Sequence, residues 1–488
     1  MYSLNMKRFF SFLTVLAVLF SVFAAGGTET APITSQNPIV FKTPSAEDSA
    51  GAVASVQSST YSEIDVNLAK LAKLYKMLEE NYLWDIDHQA VYEAMATAMF
   101  DALGDEYTEY ITAEESDEYV EAYFNQYAGI GITFTKRTDN DFCYVEQVFP
   151  DAPAAKAGMH PGDKIVQLNG ESVDGKTSTE CQSVMRGEPG TDVTITIQRN
   201  GVTFDVVITR AVVTSPSIDS DYMEEYGIGV IQIISFVNGK TSTDFLNTFN
   251  DMLKKGLKAL IIDLRGCGGG DVDSALNIAN FFISGQPIVS FKYKDSSKDS
   301  TLSATKGVAI SSKIPVVLLV NEYTASSAEL FSGALQDNGR ATLIGTTTFG
   351  KGIMQALSVP ESKEKYKYTF GSFETPAGHT IHKNGITPDI EVKRPVIDED
   401  NTQAYLDLVN SDLISEWVKA NPAYTKANVT AFAQAHPDTG LSADIVNLLV
   451  SNAYLSEMPV MDQPLLDTWF DPQAIAAVEY LEAKLGRQ

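Results

Sequence analysis

Residues 314–333 read IPVVLLVNEYTASSAELFSG. The first seven are apolar and rich in β-branched side chains, which predicts a strand buried on both faces, and a helix-forming run begins near Ser326. Ser326 and Glu329 stand three apart at that start, the spacing of a capping box, and as an isolated pattern capping explains them best. A serine held at a helix N-terminus also has the next residue's N–H beside it, which is how several acyl-transfer nucleophiles are presented. The two readings are compatible.

Outward from this stretch, strands and helices alternate from about Ile228 to Val392. GVIQIISF, a helix near Thr243–Lys255, LKALIIDL, a helix after a glycine run, IPVVLLV, a helix and ATLIGT follow in order. Such alternation predicts an α/β core with substantially parallel strands. Residues 128–210 instead alternate with period two between turn signals such as PGD and RNG, which predicts a compact β-rich module. Residues 61–127 are helical by pattern, with Leu68, Leu71, Leu74, Tyr75 and Leu78 on one face and a second helix over Val91–Leu103 closed by Gly104. Residues 398–488 are mainly helical and carry no assignable motif, whereas 26–60 are rich in Ser, Thr, Ala and Gly and read as a linker. The fold class is therefore α/β and multidomain, with an α/β core at 211–397.

Two further loops follow apolar strands of the core. DLRGCGGG, Asp263–Gly270, has enough glycine for backbone N–H groups to converge on an anion, but it lacks the Gly-Lys-Ser/Thr ending of a phosphate loop; a plain strand-to-helix turn is the alternative. GTTTFGKGIMQ, Gly345–Gln355, sets Lys351 between glycines with Gln355 four residues on, on a shared face. Alone, Lys351 reads as a solvated turn residue. A serine nucleophile needs a base, however, and none of the five histidines lies in a comparable motif. His379 and His382 have half the spacing of a metal site with no third ligand evident, so no metal is expected. Lysine can serve as base where burial lowers its pKa toward neutrality.

The chain has 488 residues and a formal charge of −27, which disfavours nucleic acid and anionic membranes as partners. Residues 1–25 have Lys7 and Arg8, an apolar segment and small residues at 24–25, the layout of a cleaved secretory signal; uncleaved, the segment would tether the chain to a membrane. Cys143, Cys181 and Cys267 are too few for a disulfide framework.

Taken together, YAGIGITF, DAPAAKAGMHPGDKIVQLNGESV, MRGEPGTDVTITIQR, LIIDLRGCGGG, VNEYTASSAELFSGALQDNGRATLIGTTTFGKGIMQ and TPAGHTIHKNGITPDIEV resemble, in order, the carboxyl-terminal processing peptidases, also called tail-specific proteases. The resemblance implies an exported, periplasmic or otherwise extracytoplasmic serine endopeptidase that uses no cofactor. It implies Ser326 as nucleophile, Lys351 as base, 25 residues on, Gln355 as the residue assisting that lysine, and an oxyanion hole from the Ser327 N–H and one at Gly268 or Gly269. Two positions depart from the pattern: Cys267 stands where asparagine is usual and Ser327 where alanine is common. Residues 128–210 resemble a PDZ domain. Its Gly129, Ile130, Gly131 and Ile132 would receive a free apolar protein C-terminus, the amides holding the carboxylate and Ile130 and Ile132 lining a pocket faced by Val184 or Met185. Related enzymes also suggest a homodimer through the helical ends. The rival readings are an inactive PDZ-bearing scaffold and a non-proteolytic acyl-group enzyme.

Overall fold

The computed structural model describes residues 58–487 except 117–118, 120–125, 137, 150, 238, 308–309, 359–362 and 459–461. The expected signal segment and nearly all of the linker lie outside the described residues. Among the described residues no helix is long and apolar enough to cross a membrane.

The described residues begin with α1 (Ser58–Asn81) and α2 (His88–Asp101), the latter capped by the Asp87 carboxylate, which accepts the Ala90 N–H. The apolar stripe of α1 stays on the surface: Leu68 is 58% and Leu74 55% exposed. The helical reading is interrupted after Asp101 and resumes at Ser116. A short strand, β1 (Glu109–Ile111), lies between and pairs with a strand more than 250 residues later. Three residues carry too little periodicity to be seen in sequence, and the distant partner supplies the hydrogen bonds.

The β-rich module contains β2 (Gln126–Gly129), β3 (Ile132–Thr135), β4 (Cys143–Val148), α3 (Pro153–Lys156), β5 (Lys164–Leu168), β6 (Glu171–Ser172), α4 (Ser178–Met185), β7 (Asp192–Arg199), β8 (Val202–Thr209) and β9 (Ala211–Thr214). β3, β4, β5, β7 and β8 form one antiparallel sheet with β6 on β5, while β2 pairs with β9. Their inward residues, among them Ile165, Ile195, Ile197 and Ile208, make one core with Cys181 and Met185 of α4.

The α/β core comprises β10 (Ile218–Met223), β11 (Ile228–Ile233), α5 (Lys240–Lys254), β12 (Ala259–Asp263), α6 (Val272–Phe282), β13 (Pro287–Tyr293), β14 (Ser300–Ser303), β15 (Val316–Val320), α7 (Ser327–Asp337), β16 (Thr342–Gly345), β17 (Ile353–Ser358), β18 (Lys365–Glu374) and β19 (Ile390–Glu391). One sheet has the order β10-β11-β12-β15-β16-β19, parallel throughout except for antiparallel β10. Leu260 and Ile262 of β12 and Val316, Leu318 and Val320 of β15 face α5, α6 and α7. Their alternates Ala259, Ile261, Val317 and Leu319 face the opposite layer, so both strands read as unbroken apolar runs.

That opposite layer is α12 (Pro472–Lys484), whose Ala474, Ala477, Val478 and Leu481 pack beneath the sheet. Before it come α8 (Thr402–Val409), α9 (Leu413–Ala420), α10 (Lys426–Ala435) and α11 (Ala443–Glu457), gathered around Phe432 and Tyr454. The alternating pattern also left out a second, antiparallel sheet: β18 pairs with β17, β13 and β1, and β14 extends it.

Candidate active site

The C-terminal ends of adjacent parallel strands are where α/β sheets gather functional loops, and β12 and β15 are adjacent with Asp263 opposite Leu319. The loops that leave them are fastened to each other. The Thr324 hydroxyl donates to the Leu264 carbonyl at 2.8 Å, the Ala325 N–H to the Cys267 carbonyl at 2.9 Å, and the Ser327 hydroxyl to the Gly270 carbonyl at 2.7 Å. Arg265 anchors the glycine loop from below, pairing with Asp263 at 2.8 Å and with Asp471, the cap of α12, at 2.5 Å.

Ser326 sits at this junction with φ 57° and ψ −120°, a conformation that costs a non-glycine residue on the order of 1–3 kcal/mol and survives only where its surroundings enforce it. It is fully buried, and its Oγ has no hydrogen-bond partner among the described residues. The capping expectation therefore holds through the backbone: the Ser326 N–H donates to Glu329 Oε2 at 2.9 Å, and the hydroxyl stays out of the cap. Gly269 lies against the serine. A Cβ there would come within 2.8 Å of the Ser326 Cβ and of the Ser327 nitrogen, at a φ of +100°. The Gly269 N–H faces the Cys267 sulfur, and the neighbouring Gly268 is half-buried.

The loop after β16 brings Lys351 to the same place. Its N–H donates to Glu329 Oε2 at 2.7 Å, the oxygen that also holds the Ser326 amide. The second oxygen, Oε1, accepts the Gly350 N–H at 2.7 Å and the Thr348 hydroxyl at 2.5 Å. Burial raises the pKa of Glu329, and these four donors oppose the rise. The Lys351 side chain is 3% exposed, with Nζ 4.4 Å from the centroid of the Tyr107 ring. Burial, helped by Lys367, brings its pKa down to about 7, against the pull of Asp105, Glu106 and Glu109. Gln355 is buried on β17; its Nε2 donates to the Thr369 hydroxyl at 3.2 Å, and its Oε1 is buried without a hydrogen-bond partner among the described residues. Cys267, 1% exposed, has its thiol pushed up to about 12 by burial and stays protonated at neutral pH.

In the β-rich module, Ile130, Ile132 and Met185 line a cavity of about 330 Å³ together with Tyr127, Phe134 and Arg186. Val184 packs against the module's core, and its carbonyl accepts the Arg210 guanidinium at 2.7 Å. Gly129 and Gly131 bracket the buried Ile130, and the Tyr127 ring folds over Gly129, with the Arg186 guanidinium 5.0 Å from the ring centroid. Burial raises the pKa of the Tyr127 phenol, while Arg186 and the amides of Ile132 and Gly131, which face its oxygen, act in the other direction.

Residues 227–392 match the family model described as Peptidase family S41, and residues 128–209 match a PDZ domain. A Staphylococcus epidermidis protein named "Probable CtpA-like serine protease" is 33% identical over 340 residues, covering 70% of this chain and 68% of the relative. The chain belongs to peptidase family S41. A Staphylococcus aureus relative of the same name is 34% identical over 330 residues; the match takes in 67% of this S41 chain and 65% of the relative's length. Among solved structures, the photosystem II D1 C-terminal processing protease is 25% identical, with a TM-score of 0.40, over 66% of this chain and 86% of that one.

The S41 match contains Ser326, Ser327, Lys351, Gln355, Gly268 and Gly269. Sequence reasoning took Glu329 for a cap only and overlooked its grip on the lysine loop. The signal for that grip was present: a carboxylate buried beside a glycine-rich loop needs donors.

Proposed function

We propose that this S41 chain is a serine endopeptidase that engages protein C-termini through its PDZ domain and cuts near them with a Ser326–Lys351 dyad. One observation supports the reading: a single carboxylate oxygen accepts the backbone amides of both residues, which ties the loop of a strained, buried serine to that of a lysine whose amine is neutral near pH 7, while Ser326 Oγ itself is not hydrogen-bonded to the amine. Neutral Lys351 takes the Ser326 proton as Oγ adds to the peptide carbonyl. The Ser327 N–H and a glycine-loop amide receive the oxyanion. Because the Gly269 N–H faces the Cys267 sulfur, the loop donates through Gly268 or gives up that contact. The C–N bond breaks, the lysine returns its proton to the leaving amine, and water then cleaves the acyl ester by the same proton exchange. Gln355 orients the lysine.

Protein tails with free apolar C-termini are the substrates, received by Gly129–Ile132 and Met185, with Val184 contributing through the core behind the cavity. Export by the first 25 residues and a homodimer through the helical ends belong to this reading; the exposed stripe of α1 supports the dimer.

The test pairs a substrate ending in free apolar residues with its C-amidated twin. Tail-dependent cleavage is expected, lost in Ser326→Ala and Lys351→Ala and retained in Ser327→Ala. Tail binding without cleavage by the unaltered protein would establish the scaffold instead.

A further inference from the structure

The lysine pocket is closed by a part of the chain outside both family matches, which cover 128–209 and 227–392. β1 pairs with β18 in the register Glu109↔Lys367, Tyr110↔Tyr366, Ile111↔Lys365, and this sets the preceding turn, Asp105–Thr108, against β17 and the lysine loop. Within the turn, the Thr108 hydroxyl donates to Asp105 Oδ2 at 2.6 Å and accepts the Thr369 N–H at 3.0 Å. The Thr369 hydroxyl in turn accepts Gln355 Nε2 and bonds with the Asp105 carboxyl. Burial raises the Asp105 pKa, but the hydrogen bonds from Thr108, Thr369 and the Tyr107 amide outweigh it and hold the group below the usual carboxylate range. Tyr107, 7% exposed, lays its ring over the Lys351 amine.

We propose that Asp105–Thr108 is a built-in part of the active site: Tyr107 seals the Lys351 amine from water, and Asp105, through Thr108 and Thr369, fixes the rotamer of Gln355. Both are positioning residues, acting through the base and its partner. An aromatic face suits this place because it excludes water yet tolerates the transient ammonium during proton transfer. The inference rests on the proposed role of Lys351 as base. Among the described residues, the other charged or titratable groups around the lysine include Lys367 on β18, Glu106 within the turn and Glu109 just after it, Glu329 on α7 at the lysine's own N–H, and His382, which packs by Gly352.

The experiment measures kcat and KM against pH for the full chain with a free-tailed peptide, with thermal melts alongside. Tyr107→Ala admits water, so the acid limb of kcat/KM moves up by about one pH unit, with about a five- to sixfold loss at pH 7 that recovers at higher pH. Tyr107→Phe keeps the ring and leaves the limb in place. Asp105→Asn removes a negative charge near the amine, so the limb moves the opposite way, while kcat on the plateau falls by about three- to tenfold at unchanged KM. A merely structural role lowers the plateau and moves neither limb. Limbs unmoved in both Tyr107→Ala and Asp105→Asn overturn the inference; if Tyr107→Ala fails to melt cooperatively, Asp105→Asn decides alone. Retained cleavage in Lys351→Ala would instead remove the base assignment itself.

Discussion

Ser326 and Lys351 are fastened to the same atom: Glu329 Oε2 accepts the serine N–H at 2.9 Å and the lysine N–H at 2.7 Å. The helix that begins at the proposed nucleophile thus carries a clamp on the loop of the proposed base, alongside the Phe349 N–H, which donates to the Thr324 carbonyl at 3.0 Å.

Glu329→Gln tests that clamp. A carboxylate accepts all four donors, whereas an amide turns an NH2 toward two of them and leaves them unsatisfied. At about 1–3 kcal/mol for each of the two buried donors left without a partner, the variant loses about 2–6 kcal/mol in urea denaturation. Its kcat falls at least about tenfold, because the dyad geometry loosens by a fraction of an ångström.

The pH dependence follows from Lys351. The proposed base acts when neutral, so kcat/KM is expected to rise with pH through about 7, where its pKa is placed chiefly by burial. Stability follows the same titration. Between about pH 7 and 10.5 the unfolded chain carries a proton on this lysine that the folded chain lacks, so stability increases with pH across that window. Lys351→Met removes the penalty of burying an amine. It raises the melting temperature most at pH 6, raises it little at pH 10, and abolishes cleavage; equal shifts at both pH values would refute this account.

Gly269→Ala is expected to be severe. Its Cβ would lie 2.7 Å from the Ala325 carbonyl oxygen and 2.8 Å from the Ser327 nitrogen, on a backbone with φ +100° that L-residues avoid. A loss of about 3 kcal/mol or more and undetectable turnover follow, whereas Gly266→Ala, which meets no atom within 4 Å and carries only its own backbone strain at φ +75°, is milder in both measures.

Tyr127→Phe tests the tail site. The phenolic oxygen faces the Gly131 and Ile132 amides, the groups that a terminal carboxylate would use, so the hydroxyl competes with the ligand. Removing it tightens binding of a free-tailed peptide by about three- to tenfold, measured by fluorescence anisotropy in a Ser326→Ala background, and leaves the amidated peptide unaffected.

Local sequence by itself determined the elements whose partners hardly matter. The unbroken apolar runs of β12 and β15 can only be strands covered on both sides, and Gly-rich turns after them can only be loops. From this the parallel core and the β-rich module were legible, as was the interest of Ser326, Lys351 and Gln355. Tertiary structure alone decided which surfaces close around them. Tyr107 precedes Lys351 by more than 240 residues, and nothing in Asp105–Thr108 announces a neighbour; β1 acquires its identity from Lys365–Lys367. Likewise the α12 stripe gives no hint that it covers the second face of the sheet, or that Asp471 will hold Arg265 beneath the glycine loop. Periodicity records whether a face is buried, because burial rewards apolar side chains wherever they go, but it does not record against what. A lysine's charge state belongs to that second kind of information: it is set by the water that distant residues exclude.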